Sequence, residues 1–333
     1  MAQGKHSKNR MNSQSKGVII AIVAIILAAL IIAGALLVQC TGQQTAMQSS
    51  SSQSKSASSK ATSGSSFGIT SGASPTGEMS PEMATAKTNV EGIVAQYGYS
   101  VAVAVVPLDG TRGFSINGDE RFVAASMIKL LILAEYASQV QAGTLDPNAT
   151  RNISADEIVG GTGEIQNRGA GAYTYGDLAL FMIMYSDNTA TNALIETLGA
   201  DNINMKASEL QLGNTHLNRK MMDLDSNVEN YTSANDAATI LVQIANDELA
   251  SPSICDTLEG YLLRQTDSLG LTQGLPAGIK FAHKTGSLDP IRHDGGIVFA
   301  DKPYVIVVLT SLGTTGANAL MTNVSDAVYR ALE

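Results

Sequence analysis

The chain has 333 residues, enough for one large domain with a sizeable core, and carries 21 basic against 30 acidic side chains. That acidic balance, with no Lys/Arg cluster beyond the N-terminus, argues against a nucleic-acid partner. Its two cysteines, Cys40 and Cys255, make no disulfide framework, and without a CxxC or HExxH pattern neither a metal nor a cofactor is expected.

Residues 1–16 are basic, with Lys5, Lys8, Arg10 and Lys16. An uncharged apolar run follows from Gly17 to Val38. About 20 such residues span a ~30 Å hydrocarbon core, so 17–39 reads as a transmembrane signal anchor. The next charge is Lys55, so the positive-inside rule places 1–16 in the cytoplasm and the rest outside, as a single-pass protein of the cell membrane. Two alternatives stay open, a cleaved signal peptide and a lipoprotein modified at Cys40, although Gln39 is not the small residue expected before a lipidated Cys. Residues 40–80, rich in Ser, Thr, Gln and Gly, read as a flexible linker.

Residues 81–333 read as the globular domain. A helix is expected over Glu82–Tyr97, then a hairpin from "YSVAVAVVPL" and "TRGFSING" around the turn signals of "DGTRG". Helical patterns dominate from Ser126 to Arg264. Strands return in "GIKFAHKTGS", "GGIVFAD" and "YVIVVLTSL", and "NALMTNVSDAVYRALE" closes the chain as a helix. This order predicts an α+β domain. An antiparallel sheet of about five strands from both chain ends is flanked by helices, and an all-α lobe is inserted between them.

Three short stretches carry the chemistry: "SMIK" at Ser126–Lys129, "SDN" at Ser186–Asn188 and "KTG" at Lys284–Gly286. A serine hydroxyl is a poor nucleophile near pH 7 and needs an adjacent base. Positions i and i+3 share a helix face, so Lys129 can reach Ser126. Burial and a second cation, Lys284, would both disfavour the ammonium form of Lys129. If Ser126 opens a helix, its free amide could donate to a developing oxyanion. Each stretch alone has a bland reading: Lys129 as a snorkelling side chain, Ser186–Asn188 as a helix cap, Lys284 on a solvent-facing strand. All three in this order need a coincidence to be bland together.

The set resembles the penicillin-recognising serine enzymes, in the class A β-lactamase branch. The surroundings "YSDNTATN", "GLPAGIKFAHKTGS" and "HDGGIVF" are similar to that family as well. The resemblance implies a β-lactamase/transpeptidase-like fold and an acyl-enzyme on Ser126. It also implies proton relay by Ser186, orientation of Lys129 and the substrate amide by Asn188, and carboxylate binding by Lys284 and Thr285, with Gly286 beside them. The second oxyanion donor would be the Ser287 amide. Arg292 is a further candidate for the carboxylate, against the reading of a surface Arg. His283 and His293 receive no catalytic role, and Cys255 is expected to be buried as a small apolar residue. A monomer acting on a small-molecule β-lactam or a cell-wall peptide amide is implied.

One departure stands out. The family places a general-base Glu on a loop between SDN and KTG. Aligning Arg219 with that loop's usual Arg puts Met221 at the Glu position, with Asp223, Asp225 and Glu229 off the expected spacing. A thioether accepts no proton, so acylation is expected to outrun deacylation. The open alternatives are a DD-peptidase or esterase of peptidoglycan, or a penicillin-binding sensor.

Overall fold

The computed structural model describes residues 78–333. The expected basic tail, the apolar segment, Cys40 and the linker up to residue 77 lie outside the described residues. Among the described residues, no helix is long and apolar enough to cross a membrane.

Helix α1 (Pro81–Val94) opens with Ser80 as N-cap, its hydroxyl accepting from the Met83 amide, and with Pro at the first helical position. It ends earlier than expected. A 3-10 stretch, Ala95–Ser100, takes over and breaks at Gly98, whose φ of +52° suits glycine. Strands β1 (Val101–Pro107) and β2 (Phe114–Ile116) form the expected hairpin. Strands β7 (Lys280–Leu288), β8 (Ile291–Phe299) and β9 (Tyr304–Thr310) complete an antiparallel sheet in the order β2-β1-β9-β8-β7. The expected five strands from both chain ends are thus found.

Period-2 alternation divides the core. Val101, Val103 and Val105 face α1 and the last helix, α9 (Thr314–Leu332), through Met83, Val90, Met321 and Val324. Ala102 and Ala104 face the inserted lobe, where small side chains let α7 (Ala234–Ala245) lie close to β1. The lobe is built round α2 (Lys129–Gln141), which is buried on all sides from Lys129 to Ala137. Helices α4 (Tyr175–Met184), α5 (Asn188–Leu198), α6 (Ala200–Glu209), α7 and α8 (Pro252–Leu262) pack on it, and the short α3 (Ile165–Arg168) packs on α5.

The lobe is not purely helical. Strands β4 (Thr150–Ile153) and β5 (Gly171–Thr174) pair within it. Strand β3 (Phe122–Val123), just before Ser126, pairs with β6 (Tyr231–Thr232). With the Ala124 amide donating to the Asn230 carbonyl at 2.7 Å, that short ladder ties the turn before Ser126 to the end of the 219–230 segment. Two-residue strands carry too little alternation to show in a sequence.

Candidate active site

Ser126 sits in a 3-10 turn, Ala125–Ile128, that runs directly into α2. Ser126 therefore stands ahead of the α-helix and not in its first turn. Ala125 before it has φ +45°, and Ser186 has φ +53°, so both site loops hold a non-glycine residue in the left-handed region. Such backbone costs of order 1–3 kcal/mol each and persists only where packing over-determines it. Here the packing comes from β7. A Cβ on Gly286 would lie 3.2 Å from the Ala124 carbonyl oxygen and the Met127 amide, so the KTG strand packs tightly on the turn that carries Ser126.

Lys129 is fully buried, and its ammonium lies 3.1 Å from Ser126 Oγ, 3.1 Å from Ser186 Oγ, 2.7 Å from the Ser186 carbonyl and 3.0 Å from Asn188 Oδ1. Burial, and then the nearby charge of Lys284, hold its pKa well below the usual lysine range, against a smaller opposing pull from Asp187. A neutral amine keeps one lone pair, which can accept the Ser126 hydroxyl proton. Lys284 is also fully buried, so the solvent-facing reading of its strand position is overturned. Its ammonium donates to Ser186 Oγ at 3.1 Å and to the Thr285 carbonyl at 2.5 Å. Burial brings its pKa down to about 7, with Arg292 acting the same way and Asp294 and Asp267 opposing. Ser126, Lys129, Ser186 and Lys284 thus form one connected chain, two lysines alternating with two hydroxyls.

The SDN stretch is also a cap. Asp187 is buried, and its carboxylate accepts from the Glu164, Ile165 and Ala190 amides at 2.6–2.8 Å, closing the starts of both α3 and α5. Asn188 divides its amide, Oδ1 toward Lys129 and Nδ2 donating to the Gly160 carbonyl at 3.0 Å. One stretch therefore caps two helices and sets Asn188 against Lys129.

These groups open onto a cleft of about 500 Å³, lined among others by Ser126, Ser186, Asn188, Thr285 and Ser287. Arg292 is not at the surface and does not line it. It is 4 % exposed, forked on Asp267 at 2.6 and 3.0 Å, and it also donates to Asn318 Oδ1 and, at 2.9 Å, to Ser287 Oγ. Its guanidinium holds Asp267 and Ser287 in place, which corrects its reading as a surface residue. It also leaves no free fork for a substrate carboxylate. Asp267, which the sequence reasoning missed, lines the cleft, and its carboxyl is lowered by the Arg292 contacts despite burial. No motif flags it, because its partner lies on a distant strand.

His293 receives the Thr310 amide at Nδ1 (3.0 Å) and faces the Val123 carbonyl with Nε2 (2.8 Å), which fixes the neutral Nε2–H tautomer. Burial lowers its pKa to about 4. His283 pairs with buried Asp294 at 2.8 Å. Neither lines the cleft. Cys255 is 1 % exposed, as expected.

Met221 stands on the cleft wall, 8 % exposed. Asn192, one turn after Asn188 on α5, grips its backbone from both sides: Oδ1 accepts from the Met221 amide at 2.7 Å, and Nδ2 donates to its carbonyl at 3.0 Å. Arg219 binds Glu229 at 2.7 Å across the base of the segment. Glu229 lines the cleft but is held in this pair; Asp223 is exposed and lies on a neighbouring cavity. Among the described residues lining the cleft, no carboxylate is left without an arginine.

Residues 85–332 match the Beta-lactamase2 model, described as the beta-lactamase enzyme family. Beta-lactamase CARB-3 of Pseudomonas aeruginosa is 23% identical over 250 residues, 73% of this chain and 86% of that protein. The crystal structure of a beta-lactamase from Sphaerobacter thermophilus is similar at 27% identity and a TM-score of 0.69, over 74% of this chain and 97% of the other. A leucine-to-glutamate mutant of PBP-A, solved as an acyl-enzyme complex with penicillin G, is 29% identical with a TM-score of 0.69, over 75% of this chain and 97% of that one. With a family model covering most of its length and this serine–lysine chain in its cleft, the protein belongs to the beta-lactamase enzyme family and is a serine hydrolase of the β-lactamase type.

Proposed function

We propose that Ser126 attacks the amide of a β-lactam or a related cell-wall peptide and is acylated by it, and that the acyl-enzyme breaks down slowly. The observation that carries this is the buried hydrogen-bond chain of Ser126, Lys129, Ser186 and Lys284. Neutral Lys129 takes the hydroxyl proton as the oxygen attacks the carbonyl carbon. Ser186, shared between the two lysines, passes a proton to the leaving nitrogen. Asn188 orients Lys129 and the substrate amide, while charged Lys284 with Thr285 holds the substrate's carboxylate. The Ser126 and Ser287 amides receive the oxyanion; β7 is an edge strand, and alternate amides of such a strand have no ladder partner.

Deacylation needs a base for water, and Met221 supplies none. This favours a persistent acyl-enzyme, as in a penicillin-binding sensor or a slow DD-peptidase. Intact-protein mass after mixing with penicillin tests the reading. A +1 penicillin adduct on Ser126 that decays over many minutes is the expected result, and an unmodified protein with intact penicillin refutes it.

We further propose that the domain is tethered outside the cell by the apolar segment 17–39 and the polar stretch behind it, as a single-pass membrane protein. The support is the basic-apolar-polar order of the first 60 residues. Protease added to intact cells should release the domain; a domain protected in intact cells refutes the topology.

A further inference from the structure

The five-stranded sheet has two edges. At one, β7 carries Lys284 and Thr285; at the other, β2 pairs only with β1. Among the described residues no further strand covers the outer side of β2. The outward N–H and C=O groups of such a strand have no ladder partner and can template another strand. Beside β2 runs a groove of about 560 Å³, whose walls include Lys87 and Glu91 of α1, Tyr99, Arg112 and β2 itself. Asn117, directly after β2, donates to the Gly98 and Val101 carbonyls at 2.9 and 2.8 Å. Those bonds hold the stretch that carries Tyr99 against the end of the strand. Tyr99 is 75 % exposed there. Lys87 and Glu91 pair with each other at 3.4 Å.

Met79 lines the same groove, so the chain enters the domain beside it. The residues just before, 61–77, carry no charge. Between Met47 and Met79 the only large apolar side chains are Phe67 and Ile69, two apart in "SFGIT" at 66–70. In an extended chain both fall on one face, and Phe, Ile and Thr all favour strands. Eight residues, 71–78, separate this pentad from Met79. At ~3.3 Å per residue they reach up to about 26 Å, well beyond the ~10 Å length of a strand as short as β2. The pentad can therefore turn back along that edge.

We propose that residues 66–70 dock on β2 as an added strand, with Phe67 and Ile69 seated in the groove beside Tyr99. Strand addition gives the outward main chain of β2 its missing partners, and the two apolar side chains leave water. An uncharged segment leaves the Lys87–Glu91 pair unbroken. Its covalent link supplies an effective concentration on the order of millimolar, so it outcompetes a separate chain for the same edge. The docked segment also blocks that edge against pairing with a second copy.

Amide hydrogen exchange, read by mass spectrometry on the full chain in detergent micelles, tests this. Residues 66–70 should exchange at least about tenfold more slowly than the serine-rich residues 49–60. In the Phe67→Ser/Ile69→Ser double variant, 66–70 should reach the rate of 49–60, and the outward amides of β2 should speed up by about tenfold. Both substitutions lie outside the packed core, and unchanged exchange in β8 and β9 shows that the variant is folded. Exchange at 66–70 as fast as at 49–60 in the wild type overturns the proposal. So does β2 exchange that the double variant leaves unaltered. Protection of β2 that rises with protein concentration and survives the double variant assigns the edge to a second copy of the chain, and overturns the proposal as well.

Discussion

The two sides of the cleft differ in kind. On the Ser126 side, the 126–129 turn, the 186–188 loop and the 284–285 strand bring together both scaffold and polar groups: two fully buried lysines, two hydroxyls and an amide, each hydrogen-bonded to a neighbour at 3.1 Å or less. On the 219–230 side the scaffold alone is complete. Asn192 grips the Met221 backbone and Arg219 closes the segment on Glu229, yet the side chain so positioned is a thioether. Backbone placement and chemical capacity are therefore separable. The Asn192 clamp uses main-chain atoms of residue 221, which every residue but proline has, while proton transfer needs a basic side chain.

The largest effect should come from breaking the complete side. Lys129→Ala removes the base from Ser126 and is expected to slow acylation by roughly 10²–10⁴-fold. Stopped-flow labelling with a fluorescent penicillin measures it, and an undiminished rate would assign the proton to another group. Completing the other side should have the next largest effect. Met221→Glu places a carboxylate on a backbone already clamped by Asn192, so the acyl-enzyme half-life should shorten by about tenfold to a hundredfold. Full rescue is not expected, because the site is nearly closed to water and burial raises a carboxyl pKa. Decay of the adduct mass with time reads the result, and an unaltered half-life would mean that the clamp does not aim residue 221 at the ester.

A pH profile sharpens the contrast without mutation. Lys284 has its pKa lowered to about 7, so its charge is lost as pH rises through that value. Acylation by an anionic substrate should fall by up to about tenfold per pH unit above 7, and a neutral ester should show no such descending limb. Stability runs the opposite way. Between pH 7 and the ordinary lysine range the unfolded chain binds the extra proton, so unfolding free energy rises with pH across that window. Denaturant midpoints at pH 7 and pH 9 test the sign. Parallel decline of both substrates would remove Lys284 from carboxylate binding.

Smallest of all should be the effect of Glu229→Gln. Glu229 is 40% exposed in its side chain, so the pair with Arg219 is screened and worth about 1 kcal/mol or less. The thermal midpoint should barely move, and acyl-enzyme decay should stay as slow as before. A marked slowing of decay would instead make Glu229 the base that Met221 is not.

Much of this protein was decided by short-range pattern. The i,i+3 spacing of Ser126 and Lys129, the alternation of "VAVAVV" and the apolar runs around the KTG strand specify local geometry, and that geometry is repeated in the fold. That residue 221 carries a thioether and not a carboxylate was legible too, because it is read directly from the sequence. Tertiary structure decided what depends on burial and on partners far along the chain. Lys284 is buried and not solvated, and it meets a serine 98 residues away. Arg292 spends its fork on Asp267, and Gly286 serves a close approach to the turn that carries Ser126. The β3–β6 ladder and the Asn192 clamp likewise join segments that no local pattern connects. Spacing fixes which side chains can share a face, since the helix and strand repeats are geometric constants. Which of them lose water, and so shift in charge, depends on everything packed around them.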